Sequence, residues 1–334
     1  MSSVKRRTNG WWSRACKAGA LMIAVVSPWV PLSSAEACQA CACGDASFAI
    51  DPSGDDNHVF LAQIYASKRP EKYGIDGYPY DFDEWRADLT LAWAWRRSTV
   101  SLRMPWLWRT LNYQSMELAQ ASGLGDVELS ASWVFARSQD RENAMTLEGL
   151  GRSRYAAIHG GLSMPTARGV YDERGDLLPD DVQPGTGSFM PFIGVNWAIA
   201  RGIMRFDGRH TGYFPVPGRF EFQVGPTLQN RVRVMVEPVE YLQVGAGVYT
   251  SLAAPIRFGD EKEQDTGGFA GYLDLEAEVT PTPALTFVVG GRIPVIQALR
   301  GYHRAQPSVF FGVRVQGEVP SRRAPDLEAG GYIL

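Results

Sequence analysis

The sequence has little lysine and no marked excess of charge of either sign. Its formal net charge is -3 over 334 residues, and its pI is about 5.9. Nothing in the global charge therefore indicates a nucleic acid partner. No G-x-S-x-G, HExxH or phosphate-binding glycine loop occurs in the chain, which argues against the hydrolase, metalloprotease and nucleotide-binding classes that carry those motifs.

Histidine is also scarce, with four residues in the whole chain: His58, His159, His210 and His303. His159 and Ser163 are four residues apart on one face of a predicted strand, which gives a base and a nucleophile no direct contact. His210 falls on an apolar face and His303 in a loop. We therefore expect no enzyme activity.

Beyond residue 37 the sequence contains no long hydrophobic run. Before it, Lys5, Arg6, Arg7, Arg14 and Lys17 form a basic region, residues 18–31 are apolar, and residues 35–37 read Ala-Glu-Ala. This order predicts a cleaved signal peptide at 1–37, with a signal anchor as the alternative. The apolar run is shorter than the roughly 20 residues of a spanning helix. A membrane position for the remaining chain would require a closed β-barrel.

Aromatic residues and glycine, by contrast, are abundant: ten Trp, thirteen Tyr, fifteen Phe and thirty-five Gly. The decisive pattern is a period-two alternation that recurs from Trp85 to Gln316. In residues 85–96 the odd positions are Trp, Ala, Leu, Leu, Trp and Trp, whereas the even ones include Arg86, Asp88 and Arg96. A strand places alternate side chains on opposite faces. With weaker segments at 59–65 and 155–164, the pattern predicts about twelve strands.

A soluble β-sandwich would alternate as well, so two further features decide between the classes. Trp residues lie near the predicted strand ends, where aromatic belts occur in bacterial barrels. Connections also alternate in length, being short at 96–98, 200–202, 237–240 and 281–283 and long at 65–84, 109–125, 165–187, 251–267 and 294–305. The stretch at 138–153 breaks this rule.

We therefore predict an all-β fold: a transmembrane, antiparallel, up-and-down β-barrel of about 12 strands in the bacterial outer membrane. The barrel covers 57–317, follows a periplasmic segment at 38–56 and precedes a tail at 318–334. The N-terminus is expected in the periplasm and the apolar face against lipid.

Charges of both signs concentrate on the polar face of the predicted strands. An arginine on the lipid face near the midplane would cost about 2–4 kcal/mol, so this face is expected to line a hydrated or salt-bridged lumen. The candidate lumen-lining and selectivity residues are Arg86, Asp88, Arg103, Glu128, Arg205, Asp207, Arg209, Glu221, Arg231, Arg233, Asp274, Glu276, Glu278, Arg292 and Arg314. Arginines of one wall facing carboxylates of another would create a transverse field that orients polar solutes.

Two glycine-rich motifs carry a family resemblance. The segment Gly-Leu-Gly-Asp-Val at 123–127 and the segment Pro-Gly-Thr-Gly-Ser at 184–188 each open a predicted strand. In this the chain resembles the outer-membrane transporters of the phenol-degradation MetA-pathway family over about residues 55–317. The resemblance implies a transport role in the outer membrane. The chain departs from many outer-membrane barrels by ending in Tyr-Ile-Leu.

Three cysteines lie together after the predicted cleavage site, at Cys38, Cys41 and Cys43. A disulfide would leave one thiol over. A C-x-x-C-x-C run can also hold a soft ion such as Cu or Zn, with Asp45 or His58 as a fourth ligand for zinc. Disulfide chemistry, a metal site and attachment of a partner all remain open.

The sequence thus favours a channel or transporter for passive passage of a small solute. The alternative is a structural barrel or anchor, whose cysteine segment docks a periplasmic metal or redox partner.

Overall fold

The computed structural model describes residues 58–75, 78–113, 116–139, 153–179, 182–218, 222–239, 241–263, 266–282, 284–299 and 304–319. The predicted signal peptide, the cysteine segment, the tail beyond 319 and the stretch at 140–152 lie outside these residues. No helix in the described ranges is long and apolar enough to cross a membrane.

Regular structure in the described residues consists of strands. They are β1 (His58–Ile75), β2 (Tyr78–Trp95), β3 (Ser98–Tyr113), β4 (Met116–Leu124), β5 (Val127–Gln139), β6 (Ser153–Met164), β7 (Met190–Arg201), β8 (Met204–Tyr213), β9 (Phe222–Gln223), β10 (Thr227–Val239), β11 (Leu242–Ala253), β12 (Arg257–Phe258), β13 (Glu261–Lys262), β14 (Gly268–Thr282), β15 (Leu285–Leu299), β16 (Arg304–Ala305) and β17 (Ser308–Val319).

The long strands close into one antiparallel barrel. Each pairs with its neighbour along the chain, and β1 pairs with both β2 and β17, which removes the sheet edges. Since β4 and β5 both pair with β3, they form one strand of the barrel that is interrupted at residues 125–126. The described residues therefore form the predicted twelve-stranded barrel.

The interruption between β4 and β5 has a local cause on β3. Pro105 has no backbone N–H to donate to the ladder, and the Gly125 N–H donates to its carbonyl oxygen at 2.8 Å. A side chain at Gly125 would meet the Leu107 side chain and the Pro184 carbonyl. Glycine is thus required where the loop that carries Pro184 approaches the wall.

The barrel has an apolar outside and a polar inside. On β2, Leu89, Leu91 and Trp93 are exposed, whereas Arg86 and Asp88 are buried. Among the described residues, six tryptophans are exposed on the outer surface: Trp85, Trp93, Trp95, Trp106, Trp108 and Trp133. This distribution is the reverse of a soluble sandwich, which buries its apolar face.

The two ends of the barrel differ in their connections. At one end, tight turns at 96–97 and 202–203 join β2 to β3 and β7 to β8, with Arg96 and Gly202 at positive φ. At the other end, the connections include residues 165–189, 214–226 and 254–267. The connections at 214–226 and 254–267 are joined by a small sheet formed by β9, β12 and β13.

Several strand bounds differ from the sequence-based prediction. The expected long loops at 65–84 and 109–125 are mostly strand, since β1 extends to Ile75 and β2 begins at Tyr78, while β3 extends to Tyr113 and β4 begins at Met116. The strand expected from Phe220 begins instead at Thr227. The Gly-Thr-Gly-Ser motif lies in the loop before β7 rather than opening that strand.

Candidate functional site

The charged residues proposed from the sequence lie on the inner face of the barrel. Nine are buried: Arg86, Asp88, Glu128, Asp207, Arg231, Arg233, Asp274, Glu276 and Glu278. Five are partly buried: Arg103, Arg205, Arg209, Arg292 and Arg314. Glu221 falls outside the described residues. The structure brings these side chains into two clusters of ion pairs.

The first cluster, here the β2–β5 cluster, consists of Arg86, Asp88, Arg103 and Glu128. Arg86 Nε lies 2.8 Å from Asp88 Oδ2. Arg103 contacts Asp88 Oδ1 at 3.4 Å and Glu128 Oε2 at 3.6 Å. The alternating signs allow each buried charge to be balanced by a neighbour, as desolvated charges require.

The second cluster, here the β8–β17 cluster, is larger and is centred on Glu276. Its Oε1 accepts from Arg233 Nη1 at 2.5 Å and its Oε2 from Arg231 Nη2 at 2.7 Å. Arg233 Nε also donates to Asp207 Oδ1 at 2.7 Å. Asp274 forms ion pairs with two arginines: its Oδ2 lies 3.2 Å from Arg231 Nε, and its Oδ1 lies 2.8 Å from Arg292 Nε. Outlying pairs are Arg205–Asp207, Arg233–Glu278 and Arg314–Glu278.

This arrangement corrects the expectation of two opposed charge walls. Arginines on β10 and carboxylates on β14 are separated by β11, yet their side chains meet directly. The inward positions of β11 at this level are Gly245 and Gly247, and a Cβ on Gly247 would lie 2.8 Å from Arg233 Cβ. Because these glycines leave space above β11, the charges pair with one another instead of facing across a lumen.

The loop at 165–189 folds against the inner face of the barrel wall, a feature that the sequence did not reveal. Val182 is fully buried against Ala119 and Ala121 of β4. Arg109, which is paired with Glu84 at 2.8 Å, also donates to the Gln183 carbonyl oxygen. One indication of this contact was present in the sequence: Glu84 and Arg109 occupy positions that alternation places on the inner face of β2 and β3.

Asp126 fixes both ends of the same loop. Its Oδ2 accepts from the Thr186 N–H at 2.6 Å and from the Thr186 hydroxyl at 2.7 Å. Its Oδ1 accepts from the Ala167 N–H at 3.3 Å. The Gly-Leu-Gly-Asp and Gly-Thr-Gly-Ser motifs are therefore a matched pair, in which the aspartate of one binds the threonine of the other.

A cavity of about 100 Å³ lies inside the barrel between the two clusters. Neutral polar side chains contribute much of its lining, among them Gln63, Thr99, Asn196 and His159, together with Arg209. His159 Nε2 lies 2.9 Å from Thr211 Oγ1, so Thr211 rather than Ser163 is its hydrogen-bond partner. The sequence-based prediction listed only charged residues as lumen-lining, so Gln63, Thr99 and Asn196 were not among them.

His210 faces outward, as expected, and belongs to a chain of hydrogen bonds on the outer wall. Trp197 Nε1 donates to His210 Nε2 at 3.2 Å, and His210 Nδ1 lies 3.0 Å from Asn230 Oδ1. Asn230 Nδ2 then donates to Thr250 Oγ1 at 3.2 Å. Polar atoms on this otherwise apolar surface are thereby satisfied within the wall.

The predicted cysteine site cannot be placed, because Cys38, Cys41 and Cys43 lie outside the described residues. Within the ranges that are described, no group of three or more His, Cys, Asp or Glu side chains could hold a metal ion. The charged clusters are ion-pair networks rather than metal centres.

Several solved structures are similar to this chain. The COG4313 outer membrane channel from Pseudomonas putida F1 is 11% identical, with a TM-score of 0.62 over 80% of this chain and 100% of that one. The beta domain of the Bordetella autotransporter BrkA is 9% identical, with a TM-score of 0.43 over 79% and 100%. The TodX deltaS2S3 mutant monoaromatic hydrocarbon channel is 8% identical, with a TM-score of 0.39 over 85% and 96%.

No protein-family model and no curated protein matches the sequence. At these identities, the likeness to the Pseudomonas channel shows a common outer-membrane barrel fold.

Proposed function

We propose that this protein is an outer-membrane channel that lets a small solute pass by diffusion, without energy input at the barrel. The observation that carries the proposal is the inversion of the barrel faces. Leu91 and Trp93 are 42% and 44% exposed on the outside, whereas the charged residues Asp88 and Asp274 are 1% exposed inside. An apolar exterior suits hydrocarbon, and a polar interior suits an aqueous solute.

Shared fold with an outer membrane channel supports the same role. With the N-terminus in the periplasm, the tight turns lie on the periplasmic side and the long connections outside, as in bacterial barrels. The predicted signal peptide at 1–37 fits export to this membrane.

Planar-bilayer conductance of the detergent-purified protein tests this function. Discrete channel openings are expected in symmetric salt. The variant Arg209→Glu should alter the ion preference, because it reverses a charge that lines the interior cavity outside the ion-pair clusters. A barrel that inserts into bilayers but never conducts would contradict the proposal.

A structural barrel that docks a periplasmic metal or redox partner is the second candidate. The observation that favours it is the filling of the interior: the β8–β17 cluster and the inward-folded loop at 165–189 both occupy the space inside the wall. In this case Cys38, Cys41 and Cys43 would bind Cu or Zn, or form a disulfide.

Deleting residues 38–56 separates the two candidates. A channel keeps its conductance in the deletion variant, whereas a docking barrel does not conduct and loses its partner. Bound copper and zinc measured in the full protein and in the triple cysteine-to-serine variant test the metal site, and equal metal content would rule it out.

A further inference from the structure

Two positively charged residues lie side by side in the small sheet of β9, β12 and β13. The register of the sheet places Arg257 of β12 directly opposite Lys262 of β13, and both residues are exposed. Residues directly opposite each other in an antiparallel pair project from the same face, and like charges in such a pair are destabilising. The sheet therefore carries a repulsion that a neutral residue at either position would remove.

No carboxylate of the described residues forms an ion pair with Arg257 or Lys262. On the other side of Arg257, the opposite residue is Gln223, which is neutral and whose Nε2 donates to the Pro215 carbonyl oxygen at 2.7 Å. Glu261 directly precedes Lys262 on β13, so it projects from the other face of the sheet. One face of the sheet thus carries two positive charges that no described negative charge offsets.

The two basic residues border a cavity of about 250 Å³ at this end of the barrel. The other residues of its lining are Gln223, Val224, Pro226, Ala254 and Pro255. None of these lining residues is a carboxylate. One water molecule occupies about 30 Å³ in the liquid, so the cavity has room for an anion that contacts both cations.

The walls of this cavity are held together without the two basic side chains. The Ala254 N–H donates to the Pro226 carbonyl oxygen at 2.8 Å, and a Cβ on Gly225 would overlap the Ala254 carbonyl oxygen. The Ile256 N–H donates to the Thr266 hydroxyl oxygen at 2.9 Å. The cavity is therefore built by the backbone of the two connections, and substitution of a basic side chain leaves these contacts in place.

We infer that this cavity binds a phosphate group. A phosphate monoester carries nearly two negative charges at neutral pH and three strong acceptor oxygens, which suits two cations on one face. Arginine binds phosphate through two parallel N–H···O bonds, and lysine binds it as a point charge. A bound phosphate replaces the repulsion between Arg257 and Lys262 with two attractive contacts, whereas a carboxylate would neutralise only one of the two charges.

A phosphate group can reach this cavity from a lipid or from a solute. Leu228 and Leu252, close to the strand ends beside the cavity, are exposed on the outer wall, so the cavity lies where the apolar belt ends. In the orientation proposed above, this end faces the outside of the cell and the phosphorylated headgroups of the outer leaflet. A phosphorylated solute that approaches from outside is the second source.

Phosphorus NMR of inorganic phosphate, titrated with the protein in a phosphate-free detergent, tests the site. The wild-type protein should broaden the phosphate signal. Arg257→Gln and Lys262→Gln should each weaken binding at least about ten-fold, because a hydrogen bond between charged groups is lost. Arg257→Lys keeps the charge and should retain most of the affinity. The matched control is Arg174→Gln, which removes an exposed arginine from the connection at 165–189 and should bind as wild type.

Urea unfolding in phosphate-free buffer guards against a folding defect. Arg257→Gln should be at least as stable as the wild type there, because it removes a repulsion. Phosphate that does not bind the wild type, or that binds equally well to Arg257→Gln, overturns the site. An equal loss of binding in Arg174→Gln also overturns it, because the attraction would then be a property of the net charge.

Addition of diphosphoryl lipid A to the phosphate-loaded protein distinguishes the two sources. Displacement of phosphate from the wild type supports the site and assigns it to a lipid headgroup, and retention of phosphate supports it and assigns it to a solute. Binding is measured without a bilayer, so the result stands whether or not the barrel conducts.

Discussion

At the scale of single residues, Glu276 is the most heavily shared group inside the barrel. It accepts hydrogen bonds from two arginines, Arg231 and Arg233, and is 7% exposed. Removing one partner of a buried ion pair leaves an uncompensated charge, which is strongly destabilising. The stability of this part of the wall therefore depends on the glutamate charge more than on its shape.

We expect Glu276→Gln to lower the free energy of unfolding by about 3 kcal/mol. Glutamine keeps the size of the side chain but removes the negative charge. Urea unfolding in lipid vesicles, followed by tryptophan fluorescence, measures the change. The control Glu173→Gln, at an exposed loop position, should stay within about 0.5 kcal/mol of wild type. Equal stability of the two variants would show that the cluster contributes little.

The inner face of these residues was predictable, but their partners were not. Alternation alone assigned Arg231, Arg233 and Glu276 to the polar side. Their pairing depends on Gly245 and Gly247 of the intervening strand, which leave space between these side chains. The alternation of polar and apolar residues does not show that glycines leave such a space. The alternation along one strand shows which face a side chain is on. It does not show whether an arginine extends across the adjacent strand to a carboxylate on the next one.

At the scale of elements, the loop at 165–189 is held by a small number of contacts to the wall. Asp126, between β4 and β5, accepts from Thr186 and Ala167 near the two ends of the loop. Val182 fills a pocket on β4, and Arg109 binds the Gln183 carbonyl. The loop is thus attached at both ends and at its centre.

Asp126→Ala should loosen this loop without opening the barrel. Hydrogen exchange of peptides covering 182–188 should become at least about ten-fold faster, because hydrogen bonds to a charged group contribute about 1.5–3 kcal/mol each. Mass spectrometry of the detergent-purified protein measures the exchange. Asp260→Ala, which removes an exposed carboxylate from another connection, should leave these peptides unchanged. Unaltered exchange in both variants would mean that Val182 and Arg109 suffice.

Strand lengths were the least predictable part of the fold. The sequence suggested a loop at 65–84, yet β1 and β2 continue through it as a paired hairpin. Lys68 and Asp83 form an ion pair there at 3.7 Å, both about 40% exposed. Where a hairpin extends beyond the apolar belt, both of its faces can be polar, so the alternation that reveals a strand disappears.

At the scale of the whole molecule, the outer surface determines where the barrel can reside. Trp95 and Trp85 lie on β2 on either side of Leu91, and all three are exposed. Such spacing fits an apolar belt bounded by aromatic residues. The fold class could be predicted because the alternation runs along the whole chain. The lining of the cavity could not be predicted, because it includes a few neutral residues that no sequence pattern distinguishes.

Arginine substitutions at two depths test this placement. Leu91→Arg, near the middle of the belt, should lower the free energy of unfolding in lipid vesicles by about 2–4 kcal/mol. Val239→Arg, at the exposed end of β10 beside a turn, should lower it by about 0–1 kcal/mol. Urea titration of both variants gives the comparison. Equal losses would show that Leu91 does not face hydrocarbon.

The pairing of β1 with β17 has a consequence for biogenesis. The first strand of the wall can complete its hydrogen bonds only when the last one has been synthesised and delivered, about 250 residues later. Until then, β1 and the growing end of the sheet both present unpaired backbone groups, which favour aggregation. Productive assembly is therefore expected to depend on shielding these two edges until the final hairpin arrives, and a chain truncated before β17 would leave both edges unpaired.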